Sequence, residues 1–258
     1  KNVLKMHKLH PYFEGFSFFG FVHRGGDEKE TENTLEAFQY SSDLGFVFME
    51  TDVQASKDGQ IVIFHDDNLE RMAGIRNQIR NLSFQEIKKI ELKGGGRIPL
   101  LSEALSSFPN LRFNIDIKTE DAVEETIRII KSNRSINRVC LASFSSKRLK
   151  KIRKIAGEGT CTSSGQMDIL KLIINSLGLN IVIPEGDCAQ VPVSQWGIPI
   201  VTRSFIENNH KLNKFVHVWT VDDEYEMNRL FNLGVDGLMT DKPSVLKKFM
   251  KEKGLFNS

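Results

Sequence analysis

Cysteine is scarce in this chain. Cys140, Cys161 and Cys188 are odd in number, far apart and form no CxxC pair. That excludes a disulfide framework and a thiolate zinc site, and it fits a reducing, cytoplasmic setting. Excess charge is lacking too. The formal net charge is +2, which gives no reason to expect nucleic acid or a polyanionic surface as a partner. No apolar run is long enough to span a bilayer, so no integral membrane segment is expected. Gly94-Gly95-Gly96 lacks a following Lys-Ser/Thr and is no phosphate loop. What is present is ordinary for a globular protein: 40% hydrophobic and 26% charged residues over 258 positions, a normal length for a single α/β barrel. The chain opens at Lys1 without Met, which leaves a removed leader open. The apolar run 16–22 is too short and too late for a signal peptide and reads as structure.

The most informative stretch spans residues 46–66. Residues 46–53 and 61–64 are β-branched and aromatic enough for strands, and Asp58-Gly59 between them signals a tight turn. Alternation puts Glu50 and Asp52 on one face. If the second run folds back, His65 lands beside them. Two acids on one face of an apolar strand must be paired, hydrogen-bonded or bound to a cation. One reading is a wet strand end bound by Lys or Arg; the other is half of a hard-cation site built from oxygen ligands.

The same pattern recurs along the chain. Run 16–22 ends in His23-Arg24-Gly25-Gly26, polar residues at the C-terminal mouth of a buried strand. Thr34 or Asn33 would cap a helix reaching about residue 45, and Asn33 could instead orient a group in the mouth. In strand 111–118, Asn114, Asp116 and Lys118 share a face. Asp116 is a third candidate metal oxygen and Lys118 a cation nearer the strand end, with an Asp–Lys pair as the plainer reading. Helix 99–108 has Ser102 as its expected cap. Further strands are expected at 138–144, 159–163, 180–185, 215–222 and 235–241, separated mainly by helices. Leaving out the folded-back run and a short piece at 198–201, eight strands alternate with helices. That argues a single (β/α)8 barrel over residues 1–258, with an insertion at about 67–98 lying over the mouth after the second strand. Phe13, Phe16, Phe18 and Phe19 are expected to fill the barrel bottom.

These residues resemble the glycerophosphodiester phosphodiesterase family. The likeness runs in order from residue 21 to 243 through His23-Arg24-Gly25, Glu32-Asn33-Thr34, Glu50-x-Asp52-Val53, Lys57-Asp58-Gly59, His65-Asp66, Asp116-x-Lys118, Trp219-Thr220-Val221 and the run from Gly237 to Pro243. The resemblance implies a TIM barrel, a divalent cation (Mg²⁺ or Ca²⁺), and hydrolysis of a small glycerophosphodiester to glycerol 3-phosphate and an alcohol. It implies His23 and His65 as the acid–base pair, with Lys118 neutralising phosphate charge. Arg24 would hold the phosphate, and Trp219 would pack against the glycerol or leaving group. Glu50, Asp52 and Asp116 would hold the metal. The chain departs from the family pattern at Asp116, where Glu is usual, at Thr31, where Pro is usual, and at Arg71-Met72-Ala73, where Arg-Thr-Thr is usual.

The chemistry suits the residues. A phosphodiester is a stable anion, and Arg and Lys neutralise it. Two imidazoles can exchange protons near neutrality. With no obvious protein nucleophile, the glycerol 2-hydroxyl is the expected attacking group. Two other readings stand beside this one. One is a lipid phosphodiesterase of the lysophospholipase D or sphingomyelinase D kind, in peripheral contact with lipid, which an exposed apolar patch at the mouth would favour. The other is a non-catalytic binding barrel, which intact His and acid positions argue against.

Overall fold

The computed structural model describes residues 9–179 and 183–256. Strand β1 (Phe19–Val22) leads to helix α1 (Leu35–Asp43), which Thr34 caps by accepting the Ala37 N–H at 3.2 Å. β2 (Phe48–Ala55) and β3 (Ile61–Ile63) form the expected antiparallel hairpin, with Val53 opposite Ile63 and Ala55 opposite Ile61. Two short helices follow, α2 (Glu70–Ala73) and α3 (Phe84–Ile87). They gather around a separate apolar cluster that includes Leu69, Ile79, Ile87, Leu92 and Ile98. The chain continues through α4 (Leu101–Ser107), β4 (Arg112–Ile117), α5 (Ala122–Ser132), β5 (Val139–Ala142), α6 (Ser146–Ala156), β6 (Cys161–Thr162), α7 (Gln166–Ser176) and β7 (Cys188–Pro192). A small hairpin, β8 (Ser194–Gln195) and β9 (Ile198–Pro199), precedes α8 (Arg203–Lys211), β10 (Phe215–Trp219), α9 (Glu224–Leu233), β11 (Gly237–Thr240) and α10 (Pro243–Glu252).

The barrel strands run β6-β5-β4-β2-β1-β11-β10-β7, all parallel to their neighbours. A single parallel bridge between Ser163 and Cys188 links the two ends. Eight parallel strands with helices outside make a nearly closed (β/α)8 barrel, whose chemistry belongs at the C-terminal strand ends.

Three expectations need correction. Residues 180–182 lie outside the described residues, and 183–186 carry no strand. The ring position expected there is filled by β7, a poorer sequence signal because Cys188 and Gln190 point inward while only Ala189 and Val191 face the outer apolar layer. Helix α4 begins without Ser102 as its cap; Glu103 instead accepts the Leu100 N–H at 2.8 Å. Phe18 faces outward, against Phe231 and Phe249 under the helices, whereas Phe13 and Phe19 pack in the barrel floor.

Alternation along the strands sorts the barrel interior into layers. Tyr12, Phe13, Phe19, Phe48 and the three buried cysteines close the bottom. Above them Asn114 and Gln190 exchange hydrogen bonds at 3.2 and 3.1 Å, and Gln190 Nε2 lies 3.5 Å from His217 Nδ1. Two residues further along β4 and β10 stand Asp116 and Trp219, with Asp52 of β2 level with Asp116. β10 shows the order most plainly, with apolar Phe215, then His217, then Trp219 towards the mouth.

Candidate active site

The register of β1 against β11 pairs Val22 with Thr240, so the residues just beyond, His23 and Asp241, meet at the mouth. His23 Nδ1 lies 2.6 Å from Asp241 Oδ1, and its Nε2 lies 3.7 Å from Glu50 Oε2. Arg24 sits at φ 53°, in the left-handed region. That turn lets its backbone N–H donate to Glu50 Oε2 at 3.2 Å while its guanidinium reaches Glu32 Oε1 at 3.0 Å and Asp52 Oδ2 at 3.3 Å. Asn33 is buried and grips the same acid: its Nδ2 donates to Asp52 Oδ2 at 3.0 Å, and its Oδ1 accepts the Thr51 hydroxyl at 2.8 Å. Thr34 is the cap, and Asn33 faces the mouth.

β2 pairs with β4 so that Asp52 stands opposite Asp116. Lys118 bridges them, its Nζ 2.8 Å from Asp52 Oδ1 and 2.7 Å from Asp116 Oδ2. The Asp–Lys pair within one strand therefore forms, reinforced from the neighbouring strand. The Phe64 N–H donates to the Asp52 carbonyl at 3.0 Å, which brings His65 to the Asp52 side of the mouth. His65 Nδ1 lies 2.7 Å from Asp66 Oδ1. Arg71 then ties the rim together, with Nε 2.6 Å from Asp66 Oδ2 and Nη2 2.6 Å from Glu32 Oε1. On the other side Trp219 meets Phe144 edge-on, ring centres 5.9 Å apart, and Lys118 Nζ stands 5.6 Å from the Phe144 ring.

These groups perturb one another. Burial opposes the charged form of His23, but Glu50 and Asp241 outweigh it and raise its pKa. Burial, then the nearby Asp52 charge, pushes the Glu50 carboxyl up to about 8. Burial also raises Asp116, with Asp52 adding to it against the opposing pull of Lys118. Asp52 is buried as deeply, yet Lys118 and Arg24 hold it below the usual carboxylate range. Asp66, half-screened from water, is drawn down to about 2 by its bonds to Arg71 and His65. Lys118 is buried too, and Asp52 and Asp116 keep it charged.

The site can be tested against a divalent cation from its own donors. Asp116 Oδ1 is buried with no hydrogen-bond partner among the described residues, and burial, with the Asp52 charge beside it, raises the Glu50 carboxyl. Both observations fit the hard oxygen donors that a divalent cation takes. Among the described residues no three His, Cys, Asp or Glu side chains stand together as a group that could hold a metal ion; Lys118 bridges Asp52 and Asp116. A cavity of about 650 Å³ opens beside the acids, lined by His65, Asp66, Arg71 and Lys118 among others. A larger groove, about 1070 Å³, lies between the insertion and the starts of α1 and α4, away from these groups.

All nine residues singled out from the sequence thus lie around one mouth. Four others that hold them were assigned no role there: Glu32, Asp66, Arg71 and Asp241. Asp66 could have been suspected from its adjacency to His65, and Asp241 from its place at the end of the last strand.

Comparison with known proteins bears on the same residues. The model of the glycerophosphoryl diester phosphodiesterase family matches residues 23–245. A Mycobacterium tuberculosis protein named probable glycerophosphodiester phosphodiesterase 2 is 33% identical over 227 residues, 86% of either chain. A lysophospholipase D from Rattus norvegicus is 27% identical over 265 residues, covering 88% of this chain and 84% of the rat protein. Among solved structures, an Oleispira antarctica phosphodiesterase in complex with the product sn-glycerol-3-phosphate matches with a TM-score of 0.75 at 20% identity, covering 90% of this chain and 96% of that one. At that identity the likeness speaks for the fold.

Proposed function

The chain belongs to the glycerophosphoryl diester phosphodiesterase family, and from that premise we propose that its mouth hydrolyses a glycerophosphodiester to glycerol 3-phosphate and an alcohol by paired imidazole catalysis. One observation carries this reading. Two imidazoles, each backed by its own carboxylate, flank the Glu50–Asp52 face: His23 against Glu50, and His65 beside Asp52.

Arg24 and Lys118 neutralise the phosphate, the former as a planar fork and the latter as a point charge. Both are now held by acids and would exchange part of those contacts for phosphate oxygens. Asn33 keeps Asp52 oriented below the substrate, and Trp219 with Phe144 offers an aromatic wall to the glycerol or leaving group. The substrate's 2-hydroxyl attacks phosphorus while its proton passes to His65. The bond to the leaving alcohol breaks, and that oxygen takes a proton from His23, whose carboxylate neighbours favour the charged form. Water then opens the cyclic phosphate with the roles reversed. Glu50 and Asp52 would hold a divalent cation, Mg²⁺ or Ca²⁺, with the free Asp116 oxygen as a third donor. Such a cation, when bound, would polarise the phosphoryl group and offset the negative charge on its oxygens.

The test is release of glycerol 3-phosphate from glycerophosphocholine, with chelator and then with Mg²⁺ or Ca²⁺ restored. Release that needs the cation and falls at least a hundredfold in His23→Ala and in His65→Ala supports the reading. Equal turnover in chelator would remove the cation from it. Normal turnover of a 2-deoxy analogue would remove the cyclic phosphate.

A further inference from the structure

The mouth carries apolar surface that the proposed chemistry does not use. Helix α7 begins against the first turn of α6, where the Met167 N–H donates to Ser146 Oγ at 3.0 Å. It ends against the first turn of α8, where the Ser204 hydroxyl donates to the Ser176 carbonyl. The helix therefore crosses the rim of the barrel at the level where α6 and α8 start. Its outward face is apolar: Met167, Leu170 and Leu177 are exposed, with half-buried Ile174 between them. That spacing of three, four and three is one helical stripe, and it faces away from the core that Leu172 enters. The stripe starts next to Phe144, because the Gln166 N–H donates to the Phe144 carbonyl at 3.1 Å. Phe144 is itself 50% exposed and touches both Lys118 and Trp219. The apolar rim is thus continuous with the mouth.

The hairpin of β8 and β9 extends the same rim. It springs from the end of β7, where Pro192 stands level with Trp219. Its two central residues, Trp196 and Gly197, have φ of 52° and 77°, the geometry that favours Asn or Gly rather than a bulky ring at the first position. Trp196 holds this disfavoured conformation at 91% exposure, with Ile198 67% exposed beside it. A strained, fully exposed indole at a loop tip contributes nothing to the core, and such an outlier points to function.

Charge decides what this surface meets. Lys147 and Lys150 on α6 and Arg203 at the start of α8 are exposed and enter no ion pair among the described residues. A second copy meeting this face about a two-fold axis would set the cationic flanks against each other. A phospholipid surface offers apolar chains to the stripe, an interfacial layer for the indole and phosphates for the cations. We propose that α7, Phe144 and the Trp196 hairpin seat on a phospholipid bilayer or micelle, so that the mouth opens against it and takes diester lipids from it. This rests on the phosphodiesterase reading above and extends it to the lysophospholipid class.

The chain has two tryptophans, Trp196 and Trp219, so binding is visible in emission. The full chain is titrated with vesicles of equal parts phosphatidylcholine and phosphatidylglycerol. The expected result is co-sedimentation and a blue shift of emission. Trp196→Ala abolishes the shift and weakens partitioning about tenfold, and the double variant Met167→Ser/Leu170→Ser weakens it without touching either indole. Both variants keep wild-type turnover of monomeric glycerophosphocholine and lose turnover of micellar lysophosphatidylcholine. A wild type that ignores vesicles, or a Trp196→Ala protein that binds as tightly as wild type, overturns the proposal; intact glycerophosphocholine turnover then leaves the phosphodiesterase reading standing. Vesicle binding lost in both variants, in a chain that cleaves no glycerophosphodiester, would uphold the docking surface and sink that reading instead. A dimer in sedimentation velocity that Trp196→Ala abolishes would overturn the proposal in favour of a second copy.

Discussion

His23 owes its character to Asp241, a side chain that need never touch substrate. The 2.6 Å contact fixes the ring and leaves Nε2 aimed towards Glu50, and a carboxylate at this distance stabilises the imidazolium. Asp66 likewise fixes the ring of His65, and Arg71 fixes Asp66. Asp241 is therefore a positioning residue. Asp241→Asn keeps the shape but removes the charge, and an amide can also hold the wrong tautomer of His23. Turnover is expected to fall about a hundredfold with KM changed far less. Asp241 is among the groups that raise the pKa of His23, so the alkaline limb that depends on a charged His23 should move to lower pH in the variant. Measuring kcat and KM from pH 5 to 9 checks both. A uniform loss with an unmoved limb would mean that Asp241 only holds the loop.

The element that delivers His23 and Arg24 is the loop after β1, and Gly25 makes it feasible. Its φ is 80°, and a Cβ there would stand 2.8 Å from Phe38 Cδ1 and 3.0 Å from Ala37 Cβ. Both neighbours belong to α1, packed in the core. Gly25→Ala therefore combines left-handed strain with overpacking, and a loss of about 3 kcal/mol is expected in urea melts. A loss below 1 kcal/mol would show that α1 yields easily. The same loop shows what can be read from a sequence. His23-Arg24-Gly25-Gly26 announced a polar strand end at the mouth, and the 46–66 segment announced its hairpin, because alternation and a turn signal are local. β7 was misread because its inward Cys188 and Gln190 dilute the apolar signal that the Ile-Val-Ile run near residue 182 offers more loudly. The His23–Asp241 pair spans 218 residues, and only the β1–β11 register decides it. The exposed stripe on α7 is not legible in the sequence, because periodicity locates an apolar face without saying whether anything covers it.

Across the whole molecule, one buried imidazole links the barrel core to pH. His217 lies at the centre of the barrel among Phe13, Phe19, Phe21 and Phe215, with its Nε2 unpartnered among the described residues. Burial alone drives its pKa down from 6.5 to about 3. A depressed pKa means that the folded chain keeps the ring neutral while the unfolded chain protonates it. The stability this provides is complete above pH 6.5 and drains away as the pH falls towards 3. By pH 4.5 the loss amounts to roughly 3 kcal/mol. Asp66 also loses stability in acid, but its window lies lower, between its ordinary value and about 2. Glu50 acts in the opposite sense: its carboxyl is raised to about 8, so its contribution diminishes as the pH rises. Comparing wild type with His217→Phe separates these effects, since every other group is shared. Thermal melts at pH 7 and pH 4.5 should show a drop in Tm that is smaller in the variant than in wild type, whatever its stability at pH 7. Equal drops would mean that the ring takes up a proton within the folded barrel, which would require water beneath the acid layer of the mouth.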